Sequence, residues 1–202
     1  MSNYEECFSF DIPNAHILLE LKIIPSQNHS ALCVKIYRAD SNDYEVYWNW
    51  GLTSREFAKH VIQFATQKYP LKYNSLKELT NSEEFIKYIK RFTPVYYKTI
   101  SRHDAAIIDS ILNANWGPSS RANNGGLDGH SYFLSIYDNS PRKYETWCTI
   151  PSEWSGLAAF IRFVVDEIVK VKDDVRELYL PYGTLLTKNN IPDIEIPLWM
   201  KK

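Results

Sequence analysis

Apolar positions in the last third of the chain predict a β-hairpin followed by a long helix. Residues 131–137 carry apolar side chains on both alternating faces, and residues 144–150 return as a second strand after a polar turn. Beyond Pro151 apolar residues recur at helical spacing, which predicts an amphipathic helix. The apolar face of this helix consists of Trp154, Leu157, Ala158, Ile161, Val164, Val165 and Ile168.

The same order of elements is predicted earlier in the chain. Residues 31–38 and 44–50 flank a polar turn and form a hairpin. Thr53 and Glu56 have the spacing of a capping box, which opens a second amphipathic helix. Each helix is expected to bury its apolar face on the sheet beside its hairpin. The apolar stripe of the earlier helix consists of Phe57, Ala58, Val61, Ile62, Phe64 and Ala65.

The two hairpin-plus-helix units align without a gap at an offset of one hundred positions. Ile36 then falls on Ile136, and Val61 falls on Ile161. This alignment favours an internal duplication, while generic hairpin-helix patterning is the alternative, and the sequence leaves both open.

The remaining segments add a central strand and short helices. Residues 15–24 are apolar and end at Pro25, and we predict a strand there, although the segment Leu-Leu-Glu-Leu-Lys also suits a helix. Ser75–Glu78 and Thr80–Glu83 have polar residues at cap spacing and are expected to open two short helices, and residues 101–104 open another. Residues 95–101 form a strand or an extended link.

These elements predict an α+β fold with an antiparallel sheet covered by helices. The length fits a single globular domain over residues 1–202, with 1–94 and 95–202 as halves of the duplication.

Composition narrows the functional classes. The chain has a formal net charge of -1, spread evenly without a basic stripe, which argues against nucleic acid as a partner. Cys7, Cys33 and Cys148 are scattered and lack CxxC spacing, which favours a reducing compartment. The first residues lack the pattern of a signal peptide, and no run approaches the ~20 apolar residues of a membrane span. A cytoplasmic protein without a membrane partner is expected.

Asp128 and His130 are the strongest candidates for chemistry. They are two apart in an extended segment, so with His103 or Asp104 they could hold a metal ion or serve a hydrolase or nucleotide-modifying enzyme. The alternative is a turn at Asp128 and a solvated histidine at the strand entry. The chain lacks the common nucleotide, phosphate, zinc-protease and hydrolase motifs, so we expect no catalytic site, no metal and no cofactor.

A loop rich in glycine, proline and asparagine precedes the second hairpin. It begins at Trp116, and its composition is typical of a surface segment that adapts to a partner. Inward packing of Trp116 as a plug below the hairpin is the alternative. The residues predicted to bind a partner are Trp116, Arg121, Asn123, Asn124, Asp128 and His130.

Residues 107–168 carry a pattern that resembles a known group of bacterial proteins. The pattern is a helix, a variable loop, Leu127-Asp128-Gly129-x-x-Tyr132, a hairpin with a Trp near its end, a Pro and a long helix. It is similar to immunity proteins of polymorphic toxin systems of the contact-dependent inhibition or type VI secretion type. The resemblance implies a protein without enzymatic activity that binds and neutralises a cognate toxin domain. A structural or adaptor subunit is the further alternative.

Overall fold

The fold is α+β, as the sequence predicts. A computed structural model describes most of the chain. The described residues are 8–12, 16–25, 29–39, 43–68, 73–100, 105–113, 121–122, 130–137, 140–147, 150–172 and 179–180.

Within those ranges, one sheet of seven strands has the order β4-β3-β2-β1-β6-β7-β5. Six strands pair antiparallel, and the two-residue β5 adds parallel to β7. The strands are β1 Ile17–Pro25, β2 Leu32–Arg38, β3 Tyr44–Trp50, β4 Val95–Ile100, β5 Arg121–Ala122, β6 His130–Ile136 and β7 Arg142–Trp147.

Five α-helices accompany the sheet in the described part of the chain. Helix α5 continues directly into a π-helical turn at Val164–Ile168, and 3-10 turns occupy Lys90–Phe92 and Ser152–Trp154. The α-helices are α1 Ser54–Lys68, α2 Leu76–Thr80, α3 Glu83–Ile89, α4 Ala106–Asn113 and α5 Ser155–Phe163.

Strand β1 joins the two predicted hairpins into one sheet. It pairs antiparallel with β2 on one side and with β6 on the other. Both hairpins and the β1 strand are therefore confirmed. The second strand of the later hairpin begins at Arg142, two residues earlier than predicted.

The main core lies between one face of the sheet and helices α4 and α5. Leu157, Ile161 and Val164 are fully buried in one cluster with Leu134 and Ile136. The helix pattern therefore predicted this packing correctly. Because the cluster draws on β1, both hairpins and two helices, most of the fold shares a single apolar interior.

Helix α1 was expected to pack on the sheet in the same way, and this prediction is wrong. Its buried Phe64 belongs to a separate cluster with Leu79, Phe85 and Ile89 of α2 and α3. Ile62, assigned to the buried stripe, is 67% exposed. The stripe is narrower than predicted because α2 and α3 cover only part of α1.

Side-chain caps fix where the first three helices begin. The Thr53 N–H donates to Oε2 of Glu56 at 2.9 Å, and the Glu56 N–H donates back to Oγ1 of Thr53 at 3.2 Å, which confirms the capping box. The hydrogen bonds that the Glu56 carboxylate accepts from the Thr53 backbone N–H and from the Thr53 hydroxyl lower the pKa of Glu56. Ser75 caps α2 as predicted, but α3 is capped by Ser82, and Thr80 instead ends α2.

The opposite face of the sheet is covered in part by residues 8–12. The Asn49 side chain donates to the carbonyl of Phe8 at 2.7 Å. A Cβ at Gly51 would come within 3.1 Å of the Phe8 ring, so a glycine permits this close approach. Phe8 and Phe10 pack there against Ala31 and Cys33.

A buried lysine holds this covering segment by charge. Lys35 Nζ lies 3.1 Å from Oδ1 of Asp11 and 3.4 Å from Oε1 of Glu20. Burial alone would lower the pKa of Lys35, but the hydrogen bond to Asp11 and the charge of Glu20 raise it above its ordinary value. Lys35 therefore stays charged and paired, which ties residues 8–12 to β1 and β2.

Candidate protein-binding surface

Strand β4 is the open edge of the sheet. In the part of the chain that the structure describes, it pairs with β3 only and ends the strand order. Val95, Tyr96 and Tyr97 are 44%, 46% and 53% exposed, although strand residues of this size are normally covered. We call residues 95–99 of β4 the edge surface. An exposed apolar strand with a free backbone edge is the kind of surface that pairs with another chain.

The alternation of ladder hydrogen bonds shows which backbone groups of the edge surface point away from β3. Gly51 N–H donates to Ala31 O at 2.7 Å, and Ala39 N–H donates to Asp43 O at 3.0 Å. In an antiparallel pair, hydrogen-bonded positions recur every second residue. The backbone N–H and C=O groups of the odd-numbered β3 residues therefore point toward β2. Those of the even-numbered residues, from Tyr44 to Trp50, point toward β4.

The same alternation carries into β4. Trp48 lies opposite Tyr96, and Val46 lies opposite Lys98, so these β4 residues bond to β3. It follows that the N–H and C=O groups of the intervening Val95, Tyr97 and Thr99 point outward in the plane of the sheet, away from β3. The edge surface thus presents three residues whose backbone groups are directed at an incoming strand.

Tyrosines line the side of the edge surface that faces away from α4 and α5. The ring of Tyr97 lies 4.8 Å from that of Tyr47, and Tyr47 lies 5.6 Å from Tyr37 in an edge-to-face arrangement. The Tyr97 and Thr99 hydroxyls are 2.7 Å apart, and Tyr47 donates to Glu45 at 3.2 Å. These contacts hold the rings in place, which reduces the entropy that a binding partner would have to overcome.

The helix-facing side carries a stacked aromatic pair and a lysine. Tyr96 lies parallel to Trp48 with ring centroids 5.8 Å apart, and Lys98 Nζ donates to the carbonyl of Glu167 at 3.3 Å. A cleft of about 280 Å³ opens beside them. It is lined by Lys98, Thr99, Ile100, Phe163, Glu167, Ile168 and Lys170.

A run of basic residues leads into the edge surface along the chain. No Asp or Glu occurs between Phe85 and His103, and Lys87, Lys90, Arg91 and Lys98 in that interval are all exposed. The expectation that charge is spread evenly is therefore wrong at this edge. The net charge of the whole chain does not reveal this run of basic residues, because acidic residues elsewhere in the sequence balance their charge.

Most of the partner-binding residues predicted from the sequence lie outside the described residues. These are Trp116, Asn123, Asn124 and Asp128. Arg121 lies in β5, where its backbone is in register with Glu145 of β7, and its side chain is outside the description. Residues 121–122 of the predicted loop therefore lie at the sheet edge opposite β4.

His130 is buried, and the expectation of a solvated strand-entry histidine is wrong. It pairs in register with Pro25 and shares the core-facing side of β6 with Tyr132, so only 3% of it is exposed. Burial, with a smaller contribution from the charge of His29, lowers its pKa to about 4. A neutral, enclosed imidazole offers little surface for direct contact with a partner.

At the turn end of the first hairpin, Arg38 and Tyr44 form a hydrogen-bonded group with Asp109 of α4. The hydroxyl of Tyr44 donates to Oδ1 of Asp109 on α4, and Arg38 Nη2 donates to the same hydroxyl at 3.3 Å. Burial and the bond to Asp109 raise the pKa of Tyr44, so the phenol stays protonated. This group fastens α4 to the hairpin. If the loop at 116–126 does not bind, the sequence predicts a binding face on the exposed side of this hairpin, around Asp40, Asn42 and Tyr44. Tyr44 is in fact buried, and Asp40 and Asn42 lie outside the described residues.

The candidate groups for catalysis are only partly within the described residues. Burial raises the pKa of the Cys33 thiol to about 12, so it stays protonated near neutral pH. Cys148, Asp128, His103 and Asp104 lie outside the described residues. Among the described residues, no three His, Cys, Asp or Glu side chains are grouped as a metal site would require.

The helices of the described chain are all too short or too polar to cross a membrane. Comparison of the sequence with protein-family models and with curated proteins, and of the fold with solved structures, gives no match.

Proposed function

We propose that this chain is an immunity protein that binds a cognate bacterial toxin stoichiometrically and neutralises it without catalysis. The observation that carries the proposal is the edge surface, where Tyr96 and Tyr97 are about half exposed on opposite sides of an open strand. Tyrosine is enriched at the centres of protein interfaces, where it buries a large area at low entropic cost.

The edge surface supports binding because the fold does not need its exposed side chains. Ile100 of β4 belongs to the main core, and Val95 and Tyr97 do not. The rings are nevertheless ordered by their contacts with Tyr47 and Trp48. A rigid, exposed aromatic pair is well suited to anchor a protein partner.

The loop at residues 116–126 remains the second proposed contact. Its mixture of Trp116, Arg121 and small polar residues favours binding, as the sequence pattern indicates. Because β5 and β4 occupy opposite ends of the strand order, the two contacts serve as independent tests. If the loop binds, Trp116→Ala with Arg121→Ala weakens toxin binding and leaves thermal stability nearly unchanged.

The test uses the protein encoded directly upstream of this gene. The two purified proteins should form a one-to-one complex in calorimetry, and co-expression should restore growth to cells that produce the upstream protein. Tyr96→Ala with Tyr97→Ala should weaken the complex by roughly 2–4 kcal/mol, since interface anchors carry most of the binding energy.

Leu76→Ala is the matched control for the edge variant. Leu76 is 57% exposed on α2, so its truncation removes exposed apolar surface away from the edge surface. The control should bind like the wild type. An upstream protein that neither binds this chain nor is inhibited by it would overturn the proposed function.

A further inference from the structure

We infer that the partner adds an extended, acidic segment as an eighth strand along β4. The inference rests on the proposed function and names how the partner is held. The outward backbone groups of Val95, Tyr97 and Thr99 supply the pairing sites, as the register between β3 and β4 requires.

The two sides of β4 specify the side chains of the added strand. Successive residues of a strand point to opposite faces, so alternate residues of the segment would lie beside Lys98 and beside Tyr97. The Lys98 side carries two basic groups, Lys98 and Lys170, and one acidic group, Glu167, around the cleft, so its net positive charge is complemented by glutamate or aspartate. The Tyr97 side carries apolar rings together with Glu45, which favours aliphatic or aromatic residues and disfavours acidic ones. The segment therefore alternates acidic and apolar residues.

The surrounding charge favours an acidic strand over a second copy of this chain. Lys87, Lys90 and Arg91 precede β4 along the chain, Lys98 lies within it, and all four are exposed. Two copies paired edge to edge would each bring the same positively charged segment to the interface, and like charges across a strand pair are destabilising. An acidic segment would instead be attracted to this edge before the backbone hydrogen bonds form.

A synthetic probe tests the edge directly. The probe is a blocked ten-residue peptide that alternates glutamate and valine, and its control replaces every glutamate with lysine. Fluorescence anisotropy on the full chain should show the acidic peptide binding roughly tenfold or more tightly than the basic one, because of charge complementarity. Lys98→Glu should reduce or reverse this preference. Equal binding of the two peptides would refute the acidic assignment.

Proline at position 99 separates strand addition from other modes of contact. Thr99→Pro removes an outward N–H while leaving the bonds from Lys98 and Ile100 to β3, and edge strands tolerate proline at such positions. Thr99→Val keeps the N–H and loses only the hydroxyl. The proline variant should lose peptide binding, and the valine variant should retain it. Binding to Thr99→Pro at wild-type strength would overturn the inference.

Amide exchange on the wild-type chain gives a readout that does not depend on any variant folding. Saturating acidic peptide should slow exchange at the Tyr97 and Thr99 amides, since both become donors in the new ladder. Unchanged exchange at both amides would refute strand addition. A dimer in sedimentation that Thr99→Pro abolishes would assign the edge to a second copy. Tight binding of oligothymidylate that Lys98→Glu removes would assign it to single-stranded nucleic acid.

The outcomes distinguish this inference from the proposed function. If the upstream protein binds Thr99→Pro as well as the wild type, strand addition fails and toxin binding stands. If the acidic peptide binds but the upstream protein does not, the edge is a strand acceptor and the immunity function fails.

Discussion

The two hairpin-plus-helix units follow the same order along the chain but use their helices differently. In the later unit, α5 buries Leu157 and Ile161 completely in the main core. In the earlier unit, α1 joins α2 and α3 in a separate cluster, and Ile62 remains largely exposed. At the offset of one hundred positions, Ile62 corresponds to the partly exposed Arg162. Similar local patterns thus specify a helix and its apolar face, and tertiary context determines which surface that face meets.

The largest expected effect tests whether α5 belongs to the main core. Ile161→Ala should lower the free energy of unfolding by about 2–5 kcal/mol, because it removes buried methyl groups and leaves a cavity. The same substitution in α1, Ile62→Ala, changes a residue that the pattern assigned to the buried stripe, and it should cost less than about 0.5 kcal/mol, since that side chain is mostly in solvent. Urea denaturation with an unchanged slope measures both. Equal losses at the two positions would contradict the difference between the units.

A smaller effect tests the residue at or just before the first strand of each hairpin. The later unit has the buried His130 where the earlier unit has the half-buried Ser30. The pKa of His130 is lowered from 6.5 to about 4, so below pH 6.5 the unfolded state binds a proton that the folded state does not. The free energy of unfolding should therefore fall as the pH falls from 6.5 to 4. Above pH 6.5 His130 is neutral in both states, so it does not make stability depend on pH.

His130→Gln removes this titration and isolates its contribution. Between pH 7 and 4 the variant should lose less stability than the wild type, whatever its stability at pH 7. Carboxylates such as Glu56, whose pKa is lowered, titrate in both proteins and cancel in the difference. Parallel stability curves would show that burial of His130 does not affect its protonation.

The smallest effect concerns the end of the later helix. Lys170 has a φ of 53°. The Val171 N–H donates to the carbonyl of Val165 at 2.9 Å, and this hydrogen bond ends the helix. Glycine is the usual residue in this left-handed position, so Lys170→Gly should raise the melting temperature by an amount equivalent to about 0.5–1 kcal/mol. Lys172→Gly is the control, because Lys172 lacks a positive φ, and it should bring no gain.

Local chemistry explains the elements that the sequence predicted well. The capping box at Thr53 and Glu56 and the strand alternation of β6 depend on neighbouring residues, so they are visible in the sequence. The separate cluster of α1 was missed because periodicity reports an apolar face without its partner. Burial of His130 was missed because it depends on pairing with Pro25, far away in the chain.

The candidate binding surface was harder to predict than the fold. The Val-Tyr-Tyr-Lys sequence of β4 lacks clear alternation, so it was compatible with a strand or an extended link. Its position at an open edge follows from the whole strand order, which no local pattern encodes. The run of basic residues without acidic neighbours, beside paired tyrosines, is the signal that could have identified it.

The central position of β1 has a consequence for how the chain folds during synthesis. Strands β1 to β4 emerge first and can pair with each other, but β6 emerges much later. Until then β1 has a second open edge, with Leu19, Leu21 and Ile23 facing an unfinished core. Pairing of distant segments is slow, and unpaired edges promote aggregation. We therefore expect chains truncated before β6 to aggregate, and chains that include the later unit to fold.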